Sequence, residues 1–428
     1  MGQSLLMVPG DWIATQLHKL FPRQTPVFLT GLVVNFLIFI PLNVATVVSC
    51  FWLLRLFDFS ERIAGLSSIT WLLGTTVLHY AQINQQNNQV LLFVTLGYAT
   101  ALAYLRSHQP RFILFSGLAL GAAFLIRITS VIYGLTVLLF LLGGLIYQNR
   151  NKLKSLKIVG LWIVGFIPFI LVAKFFDYQR FGSFFTSSYS LWMEQINSDP
   201  LYSGLPKLPD NFPQSNPPYL GIWGVLFSPA KSIFIYDPLL LPCLLIGIIC
   251  WKRLTPYLKL YLIAAFFNLL FFLALTSRLD FWHGDAAWGA RYHVTSVHLL
   301  LIPLIALFVK QILLVKGLKR WLLNSLLALA IAVQITSVIL HPTADTGKIY
   351  LAQPQSFLKF RLGWRLNNIN CVIAPFASPS CPNELKATLR QKIALLPFAF
   401  TQSQELFLII WGFILIAAMV TTIYFVYG

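Results

Sequence analysis

Long apolar segments follow one another through almost the whole of this chain. A helix that crosses a membrane needs roughly 20 predominantly apolar residues, because each residue adds only about 1.5 Å along the helix axis. By this criterion about eleven segments qualify as spans. They are 28–56, 62–81, 88–105, 111–127, 130–148, 157–176, 232–251, 257–276, 291–313, 321–341 and 405–427. The sequence therefore predicts an all-α polytopic membrane protein.

The composition excludes an ordinary soluble protein. The 428 residues are 57% hydrophobic and only 10% charged, whereas soluble domains carry about 25% charged residues. A chain so poor in charge cannot cover its own surface in water, but lipid accepts an apolar exterior. The formal net charge is +18. Its Lys and Arg are scattered between apolar runs, so we expect membrane lipid and no nucleic acid among the partners.

Segments 111–127 and 130–148 form the weakest pair of predicted spans. The first is short, and Arg127 interrupts the apolar run between them. The pattern is compatible with two full spans or with one broken helix.

The short loops predict the orientation, because cytoplasmic loops of membrane proteins are enriched in Lys and Arg. Basic clusters occur at 106–111, 150–157, 252–259 and 310–320, and alternating spans put all four on one side. We assign that side to the cytoplasm. The opposite side receives 177–231, 278–290 and 342–404, and of the acidic residues only Asp58 and Glu61 fall on the basic side. We therefore expect any chemistry on the extracytoplasmic face, although translocated loops are in general less basic.

Three regions follow from this topology. Residues 1–341 form a transmembrane core, 342–404 an extracytoplasmic loop region, and 405–428 a C-terminal transmembrane helix. Cys371 and Cys381 lie in the outer region, where an oxidising compartment would permit a disulfide between them. The alternative is two unrelated free thiols.

The first outer segment with chemical potential follows the span 157–176. Its Arg180 carries a planar guanidinium that matches phosphate geometry. The alternative is an arginine that only extends to the membrane interface.

The second segment, 221–238, is apolar but broken by glycine and proline. Irregular backbone at membrane depth is tolerated only where it is buried in protein or lines a wet cavity. Ser228, Lys231 and Tyr236 are therefore candidates for binding substrate, since a lysine facing lipid would be costly. The alternative is a loop on the surface.

The third segment, 281–292, concentrates reactive side chains in one short loop. Asp285 and His283 are candidates for a catalytic base and a proton relay, and Arg291 for an anion clamp. Trp282 and Tyr292 are candidates for contacts with a sugar. The alternative is an aromatic belt with an ion pair between Asp285 and Arg291. His283 and Asp285 alone are too few for a zinc site, which needs at least three protein ligands, so no metal site is assigned.

These segments, in this order, resemble bacterial membrane glycosyltransferases of the GT-C superfamily. That superfamily includes protein O-mannosyltransferase-like enzymes and the lipid A aminoarabinose transferase. Tyr178-Gln-Arg-Phe-Gly-Ser183 is similar to a shortened first signature, and the stretches from Gly224 to Pro238 and from Trp282 to Tyr292 are similar to two others. The resemblance covers roughly residues 1–340. Ala230 and Ser232 replace two glycines that the family usually has.

The resemblance implies a GT-C-like bundle that moves a sugar from a polyprenyl-phosphate carrier to an acceptor outside a bacterial inner membrane. An outward carboxylate would deprotonate the acceptor, and basic residues would hold the departing phosphate. We expect no nucleotide cofactor, because no Walker motif or GxGxxG is present. A divalent metal stays open, as do the sugar and the acceptor.

The start of the chain adds a further expectation. Gly2-Gln-Ser-Leu-Leu-Met-Val-Pro9 resembles a stretch that follows the first outer loop of these enzymes. The topology also puts residues 1–26 outside with no preceding span. Our hypothesis is that a first helix and its loop, which carries the main catalytic carboxylate, lie upstream of Met1.

Two other functions compete with the transferase. A transporter or flippase for a lipid-linked glycan would show internal repeats and mid-span ionisable residues, and the sequence shows no repeat. A catalytically inactive GT-C homologue is the third reading, and it would explain the missing first loop.

Overall fold

A computed structural model describes residues 2–22, 25–83, 85–149, 151–186, 213–284, 287–340 and 360–373, with isolated positions within 191–198 and 413–420. All regular elements among these residues are helices. They are α1 (Gly2–Leu20), α2 (Pro26–Val34), α3 (Ile40–Leu56), α4 (Glu61–Leu73), α5 (Val77–Gln82), α6 (Gln86–Ser107), α7 (Pro110–Ile126), α8 (Val131–Tyr147), α9 (Lys152–Phe181), α10 (Pro218–Phe227), α11 (Ile233–Tyr236), α12 (Leu240–Cys250), α13 (Pro256–Ser277), α14 (Val294–Leu314), α15 (Gly317–Ile339) and α16 (Arg361–Ile373).

Four tighter or wider turns complete the helical path. A π-helical turn at Asn35–Phe39 joins α2 to α3, and 3-10 turns occupy Ile128–Ser130, Trp251–Arg253 and Arg291–His293. The π turn immediately precedes Pro41, whose missing N–H cannot complete a regular α-helical ladder. α2 and α3 therefore continue as one long apolar helix.

Seven helices in the described part of the chain are long and apolar enough to cross a membrane. They are Leu29–Leu56, Gln86–Ser107, Ile128–Tyr147, Lys152–Phe181, Pro256–Ser277, Arg291–Leu314 and Gly317–Ile339. Each coincides with a predicted span, so the prediction of an all-α polytopic membrane protein is confirmed. The described residues thus contain seven such helices, whereas about eleven spans are predicted for the whole chain.

The other predicted spans differ from the structure in instructive ways. Segment 62–81 is not one helix: α4 ends at Leu73, before Gly74, and α5 adds only 6 residues. Segment 232–251 is also interrupted, because the backbone leaves the helix at Asp237, just before Pro238. Segment 111–127 is a separate helix of 17 residues, and 405–427 lies outside the continuous described ranges.

Two helices form the centre of the bundle. In α6 and in the helix Arg291–Leu314, 78% of the most apolar window is buried, against 17% in Lys152–Phe181. A closed ring of hydrogen bonds ties α6 to α8 and α13: Tyr98 donates to Thr136 (3.0 Å), Thr136 to Asn268 (2.7 Å), and Asn268 back to Tyr98 (3.0 Å). Such polar contacts hold helices together where lipid supplies no hydrophobic driving force.

Helices α7 and α9 approach so closely that their glycines cannot be replaced without movement. A Cβ on Gly117 would lie 2.1 Å from the Trp162 carbonyl oxygen, and one on Gly165 would lie 2.5 Å from that of Leu114. Trp162 also donates its indole N–H to the Ser116 hydroxyl at 3.1 Å. Small residues at such a contact let two backbones touch.

Candidate functional site

A polar cavity of about 270 Å³ lies where several helix ends meet. Its wall carries two guanidinium groups and four side-chain amides. The lining residues are Gln3, Gln85, Gln86, Asn87, Arg127 and Arg291. None of these described lining residues is acidic, so the cavity offers donors and positive charge to whatever enters it.

Local sequence brings the two arginines to the cavity. Arg127 is the residue at which α7 stops, with extended dihedrals of φ −146° and ψ 115°. Arg291 opens the 3-10 turn before α14. The cavity amides Gln86 and Asn87 form the first turn of α6, where unpaired backbone N–H groups carry a partial positive charge.

The first helix covers one wall of the cavity. Gly2 packs so tightly on the end of α7 that a Cβ there would lie 2.7 Å from the backbone of Leu125 and Ile126. Gln3 consequently reaches the cavity. The segment that resembles the family at the start of the chain therefore contributes to the same site as Arg127 and Arg291.

Both guanidinium groups lie close to the ring of Tyr292. The Arg127 Cζ is 5.6 Å and the Arg291 Cζ is 5.0 Å from the centroid of its ring. Arg291 also donates from Nη2 to the Tyr292 hydroxyl at 3.0 Å, while its backbone carbonyl accepts from the Asn87 amide at 3.3 Å. Two like charges near one ring repel each other in a medium of low dielectric, so an anion beside them is stabilised.

The cavity lies at the end of the α6–α7 pair that is remote from the basic turn. α6 runs from Gln86 to Ser107, and α7 returns from Pro110 to Ile126. Arg106 and Arg111, which mark the predicted cytoplasmic side, therefore lie at the opposite end of these helices from Arg127. The cavity shares its end of the bundle with the predicted outer loops.

The loop 278–290 connects α13 to Arg291, and its two tryptophans, Trp282 and Trp288, are buried. A Cβ on Gly224 would lie 2.0 Å from the Trp282 ring, so Trp282 packs against α10. His283 contacts that ring edge-on, with centroids 5.7 Å apart. Gly284 and Gly289 have φ values of +66° and +61°, which favour glycine. Asp285 lies outside the described residues, so its role stays a prediction.

The segment 228–236 folds into a tight turn that contacts this loop. The Ser228 hydroxyl accepts from the Ala230 N–H (3.2 Å), and the Tyr236 hydroxyl donates to the Pro229 carbonyl (3.0 Å). Lys231 is buried, and its Nζ donates to the Ala287 carbonyl at 2.7 Å. Lys231 therefore contacts the loop directly, as does Tyr236, whose ring meets that of Trp288, while Ser228 bonds within its own segment. The cavity lining includes none of the three.

Arg180 lies elsewhere. It is exposed near the C-terminal end of α9, where its Cζ lies 5.0 Å from the Phe181 ring centroid. The cavity lining does not include it, so the structure brings Arg291 and Tyr292 to the cavity without Arg180.

Several residues that line the cavity are not among the site residues predicted from the sequence. In the sequence, Arg127 is visible only as an interruption between two predicted spans. The amides at 85–87 lie in an amide-rich run, 82–89, at the start of a predicted span. Such a run at a span end is expensive in lipid and would have indicated a wet cavity.

The described cysteines include one in a disulfide and three free thiols. Cys371 is disulfide-bonded, while its predicted partner Cys381 lies outside the described residues. Cys50, Cys243 and Cys250 are free. Within the described ranges, no group of three or more His, Cys, Asp or Glu lies together to hold a metal ion.

Residues 11–173 match the family model described as dolichyl-phosphate-mannose-protein mannosyltransferase. No curated protein and no solved structure matches the chain significantly. The family match includes Arg127 and the amides of α6, whereas the segments around Arg180, Lys231 and Arg291 lie beyond it. The predicted resemblance to the GT-C superfamily is thereby confirmed over residues 11–173, which match its dolichyl-phosphate-mannose-protein mannosyltransferase family.

Proposed function

We propose that this protein transfers a sugar from a polyprenyl-phosphate carrier to an acceptor at the extracytoplasmic face of a bacterial inner membrane. One observation carries the proposal: Arg127 and Arg291 line a single polar cavity at the helix ends remote from the basic turn. The family match supports a transferase with a lipid-phosphate donor.

The cavity chemistry fits a departing phosphate. In the transfer, an acceptor oxygen forms a bond to the anomeric carbon of the sugar while the bond from that carbon to the phosphate oxygen breaks. The electron pair of the broken bond leaves with the polyprenyl phosphate. Negative charge therefore grows on the phosphate, where fixed guanidinium groups stabilise it without reorganising. Arg127 and Arg291 supply that charge, and the amides of α6 add hydrogen-bond donors.

The acceptor proton needs a base. His283 and Asp285, in the loop that leads into Arg291, remain our candidates for that role. The sugar, the acceptor and any use of a divalent metal are left open by this proposal.

A transfer assay in membranes tests the proposal. The protein is supplied with polyprenyl-phosphate sugars, and Arg291→Gln is compared with Arg180→Gln. Loss of one charged hydrogen bond costs about 1.5–3 kcal/mol, so transfer should fall about 10- to 100-fold for Arg291→Gln. Arg180→Gln removes an equal charge outside the cavity and should leave transfer unchanged.

Other outcomes favour other functions. Equal losses in the two variants would remove the special role of the cavity. If the wild-type protein transfers no sugar but moves a lipid-linked glycan between leaflets, a flippase is the better description. An inactive homologue would do neither.

A further inference from the structure

Two buried arginines on α16 contact the loop that carries the site. Arg361 is 1% and Arg365 0% exposed, although arginine is almost never fully buried unless it is paired. They are four positions apart on one helix, so they lie on the same face. That face of α16 points into the protein, while Leu366 and Asn367 are exposed.

Arg361 contacts both Ala287 and Trp288, and Arg365 contacts Trp288. Arg361 donates from Nη1 to the Ala287 carbonyl, the acceptor that Lys231 also uses. The Cζ atoms of Arg361 and Arg365 lie 5.5 Å and 5.8 Å from the Trp288 ring centroid. Trp faces attract such cations most strongly among the aromatic side chains.

Trp288 also contacts aromatic side chains from two other helices. Its ring is fully buried and meets Tyr236 edge-on at 4.9 Å and His79 in a stack at 5.8 Å. Its backbone carbonyl accepts from the Tyr80 hydroxyl at 2.8 Å. The next residue, Gly289, is so close to Tyr236 that a Cβ would lie 3.0 Å from that of the tyrosine.

Helix α16 is itself anchored. Arg365 donates from Nη2 to the Ser337 carbonyl at 3.3 Å, near the end of α15. The loop segment 287–290 is thus held between α16 on one side and the residues around Tyr236 on the other. Arg291, whose guanidinium lines the cavity, follows this segment directly.

We propose that Arg361 and Arg365 are positioning residues, which fix the segment 287–290 so that Arg291 presents its guanidinium to the cavity. This inference rests on the proposed function and adds to it a role for the outer region. Three buried cations around one loop are expensive to desolvate, so their contribution is to specify one loop position rather than to add stability.

The test is a double-mutant cycle on carrier binding. Arg361→Lys and Arg365→Lys keep the charge but lose the planar fork. Each is made alone and together with Arg291→Gln, and binding of a short-chain polyprenyl phosphate in detergent micelles is measured, with the uncharged polyprenol as blank. Asn367→Ala, an exposed position on the same helix, is the matched control.

If the arginines act through Arg291, each lysine variant weakens binding about tenfold in the wild-type background and less than about twofold with Arg291→Gln. Trp288→Phe, which keeps a ring between the same partners, should show a smaller loss with the same dependence. Equal losses in both backgrounds would mean that the arginines support the fold in general, and the inference would be overturned.

A second measurement separates this inference from the proposed function. If the wild-type protein binds no polyprenyl phosphate, the proposed function fails, but the position of the loop is still measurable. With Arg291→Cys, the reaction rate of the introduced thiol with a charged reagent reports on access to position 291. That rate should change at least about threefold when Arg361→Lys is added. An unchanged rate would refute the positioning role.

Discussion

The carboxylate of Asp237 accepts two hydrogen bonds from Thr76, which lies 161 positions earlier in the chain. Its Oδ1 accepts the Thr76 backbone N–H at 2.7 Å, and its Oδ2 accepts the hydroxyl at 3.0 Å. The same hydroxyl lies 3.0 Å from the Nε2 of His298. Two interrupted helices and the central helix α14 are thereby joined at one buried point.

Removal of that carboxylate should destabilise the protein. In Asp237→Ala the backbone N–H of Thr76 loses its acceptor, which costs about 1–3 kcal/mol for a buried donor. The hydroxyl can turn to His298 instead. Asp237→Asn keeps one acceptor oxygen for the N–H and should lose less. Thermal unfolding in detergent measures both variants, and equal losses would contradict this account.

Arg127 should bind the carrier phosphate together with Arg291. Arg127→Gln removes one of the two charges in the cavity and should weaken binding of polyprenyl phosphate about 10- to 100-fold. Arg111→Gln, at the other end of the same helix, is the control and should bind normally. A loss of affinity shared by the two variants would indicate a general effect of charge on the membrane surface.

The contact between Gly224 and Trp282 predicts a strict size limit. Gly224→Ala places a methyl group 2.0 Å from the indole ring, so the ring or α10 must shift, at a cost of about 1–3 kcal/mol. Sugar transfer should fall because the same loop leads to Arg291. In Gly160→Ala, where nothing lies within 4 Å of the new Cβ, stability should be kept or slightly raised. Unfolding and transfer assays on both variants decide the matter.

The turn after α3 carries an ion pair with a defined pH dependence. Arg106 donates to both carboxylate oxygens of Asp58, from Nη1 to Oδ1 at 2.7 Å, and these bonds hold the pKa of Asp58 below its ordinary value. The side chains are 33% and 64% exposed, so the pair contributes only about 0–1 kcal/mol. Asp58 has φ 64°, which asparagine also tolerates.

Asp58→Asn should therefore lower stability by less than about 1 kcal/mol at pH 7. A depressed folded-state pKa adds stability above the unfolded value of about 3.9, and that stability is lost as the pH falls through the folded-state pKa. The gap between wild type and variant should close in strong acid. Thermal unfolding at several pH values measures it, and a gap that widens on acidification would have the wrong sign.

The bonding of Cys371 tests both the outer region and its compartment. Cys371 is disulfide-bonded, and we expect peptide mapping without reductant to recover it linked to Cys381. Such a bond persists only in an oxidising compartment. Labelling with a membrane-impermeant thiol reagent after mild reduction should modify Cys371 from outside. Recovery of both cysteines as free thiols in isolated membranes would contradict the pairing.

Hydrophobic length was sufficient to predict the seven long helices, because lipid imposes one length on every span. The same criterion failed at 62–81 and 232–251, where apolar residues continue through Gly74 and Asp237. There the helices stop at Leu73 and at Tyr236, and the Asp237 carboxylate at the second break accepts from the Thr76 backbone N–H across the bundle. A pairing between distant segments leaves no periodic signal in either one.

The sequence likewise predicted some of the residues at the cavity and not others. Arg291 and Tyr292 were predicted from a dense local motif, and they line or border the cavity. Lys231 and Tyr236 belong to a motif of the same kind, but they contact Ala287 and Trp288 in the loop before Arg291. No motif surrounds Arg127, Arg361 or Arg365, because their positions in the structure depend on where helices end and which helix faces meet.

The glycine contact of α7 and α9 has a consequence for the cavity. With backbone against backbone at Gly117 and Gly165, no lipid tail can enter between the two helices, and neither can slide without opening a gap. We therefore expect α7 and α9 to move together as one rigid unit. The position of Arg127, which ends α7, therefore depends on α9, and only 17% of the most apolar window of α9 is buried in the protein. A change in bilayer thickness that tilts α9 would therefore also move the Arg127 guanidinium in the cavity wall.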